Sequence, residues 1–291
     1  MRCAERKEHS CRPPWCLTTV NHHIEISNES RSLGSELVAG GVGTLVGLTR
    51  WLAESLHVHD AATSSSMPSG YWDRLMWCHV ERCPNLDTIF PAEAIDFGNQ
   101  LQTIWASDLQ MARCIWSQGV KINRHMYGSF ENLQHLHLRY CPRLQFALPV
   151  WVASFPNLET LHIIRCGDLT HVFALNKRYP EEIVAHGLPF PKLTTIHLHD
   201  LPKLRQIFEV KMLAPALKTI RIRGCFGLRR LPALQGRKPG VKRPAVEMEK
   251  DVWDALEWDG LAAGHHPSLF EPPVHSRYYR RRRLLRGTVL R

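Results

Sequence analysis

The stretch Phe130–Leu144, F-E-N-L-Q-H-L-H-L-R-Y-C-P-R-L, decides the fold of this chain. Its apolar residues follow the spacing L-x-x-L-x-L-x-x-C/L-x-x-L, which is typical of a leucine-rich repeat. The same spacing begins again at Leu75, Leu158, Leu193 and Leu217. One such unit is too small to bury its apolar side alone. Copies in one register therefore predict a solenoid in which each unit packs on its neighbours.

Each repeat is predicted to contribute one short strand. Polar and apolar residues alternate in His135–Arg139, which directs Leu136 to one face of the strand and its neighbours to the other. We therefore expect an α/β leucine-rich-repeat solenoid, with a curved parallel β-sheet on the concave face and irregular loops or short helices on the convex face. Leu136, Ile163, Leu198 and Ile222 should then line the interior of one continuous sheet.

Weaker copies of the pattern fill the gaps around the clear ones. The interval between Leu75 and Leu133, where two clear copies begin, fits two repeats. The missing copy is predicted at Leu101–Leu109. Upstream, Leu56–Asp60 and His23–Ser27 alternate as strands do, the second as a degenerate repeat. Insertions near residues 115–128 and 177–188 are predicted to form loops on one side of the solenoid.

Composition divides the chain into four parts. Residues 1–47 are predicted to be an irregular or disordered leader, and residues 48–235 the leucine-rich-repeat solenoid. Residues 236–270 are predicted to form a basic link and a cap with an amphipathic face over the last strand. Residues 271–291 are predicted to be a flexible basic tail. The apolar residues of the cap are Val252, Trp253, Leu256 and Trp258.

The charge balance is basic. The chain has 37 Lys and Arg against 27 Asp and Glu, a formal net charge of +10. Part of the excess comes from seven arginines in residues 277–291. A basic balance suits an acidic protein, nucleic acid or an anionic membrane. We find no apolar run long enough for a signal peptide or a membrane span, so we expect no span.

The cysteines are predicted to be packing residues. Nine cysteines cannot all pair within one chain. Cys83, Cys141, Cys166 and Cys225 occupy the ninth position of the repeat, where another copy has Leu201. This equivalence predicts small buried hydrophobic residues rather than disulfides or metal ligands. We therefore expect a reducing compartment and a cytoplasmic protein, with the nucleus as the alternative.

Two clusters contain reactive residue types at unsuitable spacings. Cys11, Cys16, His22 and His23 stand close together, but C-x4-C-x5-H-H matches no zinc motif. The glycines of residues 40–47 make no phosphate loop, because no lysine follows the last of them. No nucleophile, base and acid stand at a diagnostic spacing. We therefore predict no enzymatic activity, no cofactor and no metal.

Several stretches resemble one known family. They are similar to the repeats and C-terminal ends of plant nucleotide-binding, leucine-rich-repeat disease resistance proteins, notably those of grasses. The resemblance covers about residues 48–291, including the lines Cys83–Leu86, Cys141–Leu144, Pro156–Leu169 and Leu284–Arg291. The family's nucleotide-binding and N-terminal signalling domains have no counterpart in this sequence. We therefore expect the C-terminal part of such a receptor, or a truncated gene product.

The resemblance implies a protein-recognition role in plant innate immunity. In this family the concave face of the sheet is the usual recognition surface, so the outward-facing strand residues are the candidate protein-binding site. These residues are Trp77, His79, Glu81, Trp105, His135, His137, Arg139, Thr160, His162, Ile164, Thr195, His197, His199, Thr219, Arg221 and Arg223.

One predicted column of this face is rich in histidine. It contains His79, His137, His162 and His197, which suggests a metal site or a pH switch. Trp105 interrupts the column, and we expect no carboxylate beside it. Contact with a protein is therefore the stronger hypothesis, because Trp, His and Arg suit interfaces.

The expected partner is a protein. It is a pathogen protein, a host protein or the nucleotide-binding domain of a receptor. The alternative is a basic nucleic-acid-binding protein that acts through the arginine tail, Arg280–Arg283. A solvated tail is the simpler interpretation of that run, so nucleic acid is the less favoured partner.

Overall fold

Short strands recur throughout the part of the chain that the computed structural model describes, which is residues 23–27, 53–61, 74–90, 100–116, 130–150, 155–175 and 187–275. In chain order the strands are β1 (His23–Ile26), β2 (Ser55–His59), β3 (Trp77–Glu81), β4 (Thr88–Phe90), β5 (Thr103–Ser107), β6 (Cys114–Trp116), β7 (His135–Arg139), β8 (Leu148–Val150), β9 (Thr160–Ile164), β10 (Phe173–Leu175), β11 (Leu188–Pro189), β12 (Thr195–His199), β13 (Met212–Leu213), β14 (Thr219–Arg223), β15 (Ala245–Met248) and β16 (Val274–His275). The described residues also contain one α-helix, α1 (Lys250–Asp254), and one 3-10 turn, Pro267–Leu269.

Ten of these strands form one parallel sheet. Their order is β1-β2-β3-β5-β7-β9-β12-β14-β15-β16, and each hydrogen-bonds to its neighbours in parallel. All six strands predicted from the repeat spacing are present, as are the two weaker upstream copies, β1 and β2. The solenoid prediction is therefore confirmed, including the missing copy, whose residue Leu101 is fully buried.

The apolar repeat positions form a continuous core beneath this sheet. Leu136, Ile163, Leu198 and Ile222 are each 0% exposed and belong to the same apolar cluster. The register places Ile163 beside Leu198, and Leu198 beside Ile222. Leu136 lies one alternation earlier, beside Leu161. The predicted inward residues thus line one sheet, because period-two alternation directs them all to the same face.

Each strand of the repeat ends in the same backbone turn. The residue after the strand adopts a positive φ between 49° and 54°, and its N–H donates to a carbonyl at the end of the next strand, over 2.8 to 3.3 Å. This hydrogen bond continues the ladder by one step as the chain leaves the sheet. It stabilises a positive-φ backbone conformation that residues other than glycine seldom adopt. The residues concerned are Asp60, Arg82, Asp108, Tyr140, Arg165 and Asp200.

The ninth-position cysteines pack just after this turn. Cys83, Cys141, Cys166 and Cys225 are at most 1% exposed, and all are free thiols. Each thiol lies 3.2 to 3.6 Å from the carbonyl oxygen two residues earlier. The prediction that they are buried packing residues is confirmed.

The described residues on the opposite side of the solenoid include short strands, which the sequence did not predict there. Three small parallel sheets occur there, formed by the pairs β4–β6, β8–β10 and β11–β13. Phe155, Phe173, Phe190 and Phe208 form a continuous series of ring contacts, with centroids 4.8 to 6.1 Å apart. All four rings are buried and belong to the same apolar cluster as the inward residues of the main sheet.

The turn after β14 uses a side-chain acceptor where the earlier turns use a backbone carbonyl. The residue that follows β14 is Gly224, with a φ of 67°. Its N–H donates to Glu249 Oε1 over 2.7 Å. The Glu249 carbonyl is already bonded to the N–H of Trp253 in α1. The buried Glu249 side chain therefore replaces the backbone acceptor that the next repeat would supply.

Apolar side chains of the segment predicted as a cap pack at the C-terminal end of the apolar cluster. Val252 and Leu256 are buried, and the rings of Trp253, Trp258 and Phe270 lie 5.4 to 6.3 Å from one another. Strands β15 and β16 also extend the main sheet past residue 235.

Several sequence predictions concern residues outside the described ranges. They are the cluster of Cys11, Cys16 and His22, the glycines of residues 40–47, and the arginine run Arg280–Arg283. Most of the predicted leader (1–47), of the predicted insertions (115–128 and 177–188) and of the predicted tail (271–291) also lies outside the described residues. Within the described ranges, no helix has the length and apolar character needed to cross a membrane.

Candidate functional site

The candidate site is the face of the ten-stranded sheet that lies opposite the leucine core, which we call the concave face. Strand register brings the predicted columns together as neighbours. His79 pairs with Trp105, Trp105 with His137, His137 with His162, and His162 with His197. The column continues to Arg221 at one end.

The register also adds His57, which lies beside His79 and was not assigned to the site from the sequence. Its strand was predicted, and the alternation in Leu56–Asp60 would have sufficed to place it. The column therefore has six aromatic rings in sequence, and we call it the ring ladder. Its members are His57, His79, Trp105, His137, His162 and His197.

Successive rings of the ladder touch. The His57 and His79 rings are stacked, with centroids 4.5 Å apart, and so are those of His162 and His197. Trp105 stacks on His137 at 5.1 Å. Parallel strands lie about 4.8 Å apart, so side chains at one register position are held at stacking distance by the sheet itself. The ladder is thus a direct consequence of placing aromatic residues at the same position of consecutive repeats.

Burial along the concave face is uneven. Trp77, His79 and His137 are 8%, 5% and 7% exposed, although the sequence suggested an exposed surface. Arg139 and Arg221 are exposed. The remaining predicted residues are partly buried: Glu81, Trp105, His135, Thr160, His162, Ile164, Thr195, His197, His199, Thr219 and Arg223. The accessible part of the predicted site therefore lies mainly on the strands from β7 onward.

Burial keeps most of the ladder uncharged. It lowers the pKa of His137 to about 3, and that of His79 and His197 to about 4. Burial also lowers the pKa of His57 and His162. An imidazolium in these positions would lose hydration and meet other imidazoles beside it. At neutral pH the ladder is a row of neutral aromatic rings.

Two exposed arginines and a partly buried tyrosine border the ladder at the end of β7 and β9. Arg139 and Arg165 lie 4.9 and 5.2 Å from the centroid of the Tyr140 ring. Arg165 Nη1 also donates to the Tyr140 hydroxyl over 2.8 Å, and its Nε lies 3.3 Å from Asp200 Oδ2. We call Arg139, Tyr140 and Arg165 the arginine–tyrosine group. Such combinations are common at the centres of protein interfaces.

The two ends of the concave face carry different charged contacts, between arginines and a glutamate at one end and between a histidine and two carboxylates at the other. At the C-terminal end, Arg221 and Arg223 both contact Glu247 of β15. At the N-terminal end, His59 lies between Glu25 and Asp60, whose oxygens are 2.7 and 2.9 Å from its ring nitrogens. Burial opposes protonation of His59, but these two carboxylates raise its pKa.

The expectation that no carboxylate lies beside the histidine column is wrong. Glu81 stands in the third predicted column, but its side chain reaches sideways to the first. Its Oε1 lies 3.6 Å from His57 Nε2, and its Oε2 lies 3.6 Å from His79 Nε2. The repeat pattern predicts only the strand position of Glu81. Its contact with the two histidines depends on the direction of its side chain.

The second predicted column consists mainly of threonine. Thr160, Thr195 and Thr219 are neighbours on successive strands, beside His135 of β7. His135 Nδ1 lies 2.7 Å from Thr160 Oγ1. These short side chains leave the ladder and the arginine–tyrosine group as the bulkier features of the central face.

Comparison with known proteins agrees with this architecture. Residues 107–234 match the family model described as "Plant disease resistance protein RPS2-like, leucine-rich repeats". The probable disease resistance protein At5g63020 of Arabidopsis thaliana is 31% identical over 133 residues, which are 46% of this chain and 14% of that protein. No solved structure matches the chain significantly.

Two further Arabidopsis thaliana relatives are similar over the same extent. The disease resistance protein SUMM2 is 29% identical over 45% of this chain and 14% of its own length. The disease resistance protein RPS5 is 29% identical over 46% of this chain and 15% of its own length. The chain thus spans about a seventh of the length of these relatives. The leucine-rich-repeat region of this chain is of the type carried by plant disease resistance proteins.

Proposed function

We propose that this chain is a non-enzymatic protein-recognition module of plant innate immunity. Its concave face binds a pathogen or host protein, or packs on the nucleotide-binding domain of a receptor, in the cytoplasm. The observation that carries this proposal is the arginine–tyrosine group, with its two exposed arginines, beside a row of neutral aromatic rings on one sheet. The similarity to disease resistance proteins over the repeats supports the defence role.

The physical case rests on what such a surface offers a partner. Arg and aromatic side chains dominate the binding energy of many interfaces, because they combine large apolar area with directional hydrogen bonds. Here the strands and their hydrogen-bonded turns fix the backbone, so little backbone entropy is lost on binding. Arg139 on β7 and Arg221 on β14 are exposed cations of the predicted site. They favour a partner surface with carboxylates.

The test compares charge reversal on two faces of the same protein. The concave variant is Arg139→Glu with Arg221→Glu. The matched control is Arg143→Glu with Lys203→Glu, two exposed cations in the turns that follow the strands. Each protein is used to capture partners from plant tissue, and the captured proteins are quantified by mass spectrometry. We expect a partner retained by the wild type and the control to be lost by the concave variant.

Equal loss in both variants would show a general charge effect, and retention by the concave variant would remove this face from the proposal.

The nucleic-acid alternative is tested with a chain that ends after His275, which keeps strand β16. Removal of the tail would abolish binding to DNA or RNA if that alternative held, and would leave protein capture unchanged under our proposal.

A further inference from the structure

We propose that His57, His79 and Glu81 form a binding site for a divalent transition-metal ion of the zinc type at the N-terminal end of the concave face. Ligand atoms of these three residues, one from each, lie within 4.8 Å of one another. Two imidazoles and one carboxylate are a donor set that zinc uses in proteins, with a fourth position left to water.

The spacing of the donor atoms fits an ion better than it fits hydrogen bonds. Each Nε2 lies 3.6 Å from an oxygen of Glu81, beyond the usual hydrogen-bond range. Around a tetrahedral zinc ion with bonds of about 2.1 Å, neighbouring ligand atoms are about 3.4 Å apart. The three donor atoms, which lie within 4.8 Å of one another, would approach one another to about this distance when an ion binds.

Both histidine nitrogens are otherwise unused. The Nε2 atoms of His57 and His79 are buried, and neither has a hydrogen-bond partner among the described residues. A buried polar atom without a partner is costly, and a bound ion would satisfy both of these at once. Burial also lowers the pKa of both imidazoles, which keeps them in the neutral form that binds metal.

The carboxylate is already oriented. Arg82 Nη1 holds Glu81 Oε1 at 2.6 Å, which leaves Oε2 toward the His79 ring. Arg82 also pairs with Asp60 through two hydrogen bonds of 2.8 and 3.0 Å, so its positive charge is offset beside the site. Hydrogen-bonded support of this kind is usual for carboxylate ligands of metals.

A second triad in the same region is a weaker candidate. Glu25, His57 and His59 also have donor atoms within 4.8 Å of one another. However, the two ring nitrogens of His59 already contact Glu25 and Asp60 at 2.7 and 2.9 Å. An ion there would have to displace both contacts, whereas the first triad loses none.

The ladder supplies its own control. His162 and His197 are stacked at 4.5 Å, as His57 and His79 are, but within the described ranges they belong to no such ligand group. The paired variants are therefore His57→Gln with His79→Gln, and His162→Gln with His197→Gln. Glu81→Gln is added because it keeps the size of the side chain and removes only its charge.

The experiment measures Zn²⁺ binding to the full chain by isothermal titration calorimetry at neutral pH under reducing conditions. NMR of the histidine ring nitrogens reports which atoms bind. We expect the wild type and the His162/His197 variant to bind one ion through the same two Nε2 atoms. The Glu81 and His57/His79 variants should bind at least about tenfold more weakly. Saturating Zn²⁺ should raise the Tm of the wild type by about 5 to 10 °C.

Three results would overturn the site. They are no Zn²⁺ binding by the wild type, binding unchanged in the His57/His79 variant, and equal loss in the His162/His197 variant. Circular dichroism checks that each variant folds, and the conservative Glu81→Gln change keeps the test decisive if the double variant does not. Protein capture by the concave face is measured separately, so failure of this site leaves the proposed recognition function untouched.

Discussion

Lowering the pH should destabilise this protein, because buried neutral histidines of the ring ladder resist protonation. His137→Gln should remove the part of this loss of stability that comes from His137. His137 is 7% exposed, and burial lowers its pKa in the folded protein to about 3. In the unfolded chain its pKa is near the ordinary value of about 6.5. The folded state therefore binds fewer protons than the unfolded state between these two values.

The direction of the pH effect follows from this difference. The stability associated with neutral His137 is fully present above about pH 6.5 and is lost progressively as the pH falls toward about 3. Between pH 7.5 and pH 5 the two pKa values correspond to a loss of about 2 kcal/mol. Because the ring keeps some contact with solvent, we expect about 1 to 2 kcal/mol for this residue.

Glutamine at position 137 does not titrate, so the variant lacks this loss. At pH 7.5 the variant should be less stable than the wild type, because the ring stacks on Trp105 at 5.1 Å. At pH 5 the difference in the free energy of unfolding should shrink by about 1 to 2 kcal/mol. The assay is urea unfolding followed by circular dichroism at both pH values. Parallel pH profiles for the two proteins would refute the assignment of a buried neutral His137.

Other predictions concern the sheet and its end. Glu249→Ala should lower the free energy of unfolding by about 1 to 3 kcal/mol, because the buried Gly224 N–H loses its acceptor; an unchanged urea midpoint would contradict this role. Ile163→Ala should cost about 2 to 5 kcal/mol, because Ile163 is fully buried. Ile164→Ala, one residue along on the opposite face, should cost much less, and equal costs in thermal unfolding would argue against this register. In the native protein, Cys78 and Cys225 should resist alkylation, because burial raises the pKa of each thiol to about 12; rapid labelling seen by mass spectrometry would contradict their burial.

Sequence predicted the main sheet well because two independent patterns coincide in it. Alternation over five residues assigns each strand its inner and outer faces, and the repeat places equivalent residues of successive strands side by side. That is why the neighbours of His137 in the ladder, Trp105 and His162, could be predicted without coordinates. The same reasoning assigns Leu201 and the ninth-position cysteines to one buried column.

Contacts outside these patterns could not be predicted. The convex strands, such as Thr88–Phe90 and Cys114–Trp116, are three residues long, too short to show a period. Glu249 accepts the hydrogen bond of the Gly224 N–H through its side chain, and nothing in the repeat spacing indicates a side-chain acceptor at that position. The approach of Glu81 to His57 and His79 depends on side-chain direction, which strand register does not specify.

Arginine footprinting of the full chain, alone and with a partner identified by capture, tests the concave-face account most directly. An arginine-specific reagent labels exposed guanidinium groups, and mass spectrometry measures the rate at each residue. We predict that the partner slows modification of Arg139 and Arg221 and leaves the exposed Arg143 and Arg205 unchanged. Protection of Arg143 and Arg205, with Arg139 and Arg221 still reactive, would place recognition on the other side of the solenoid and contradict the account.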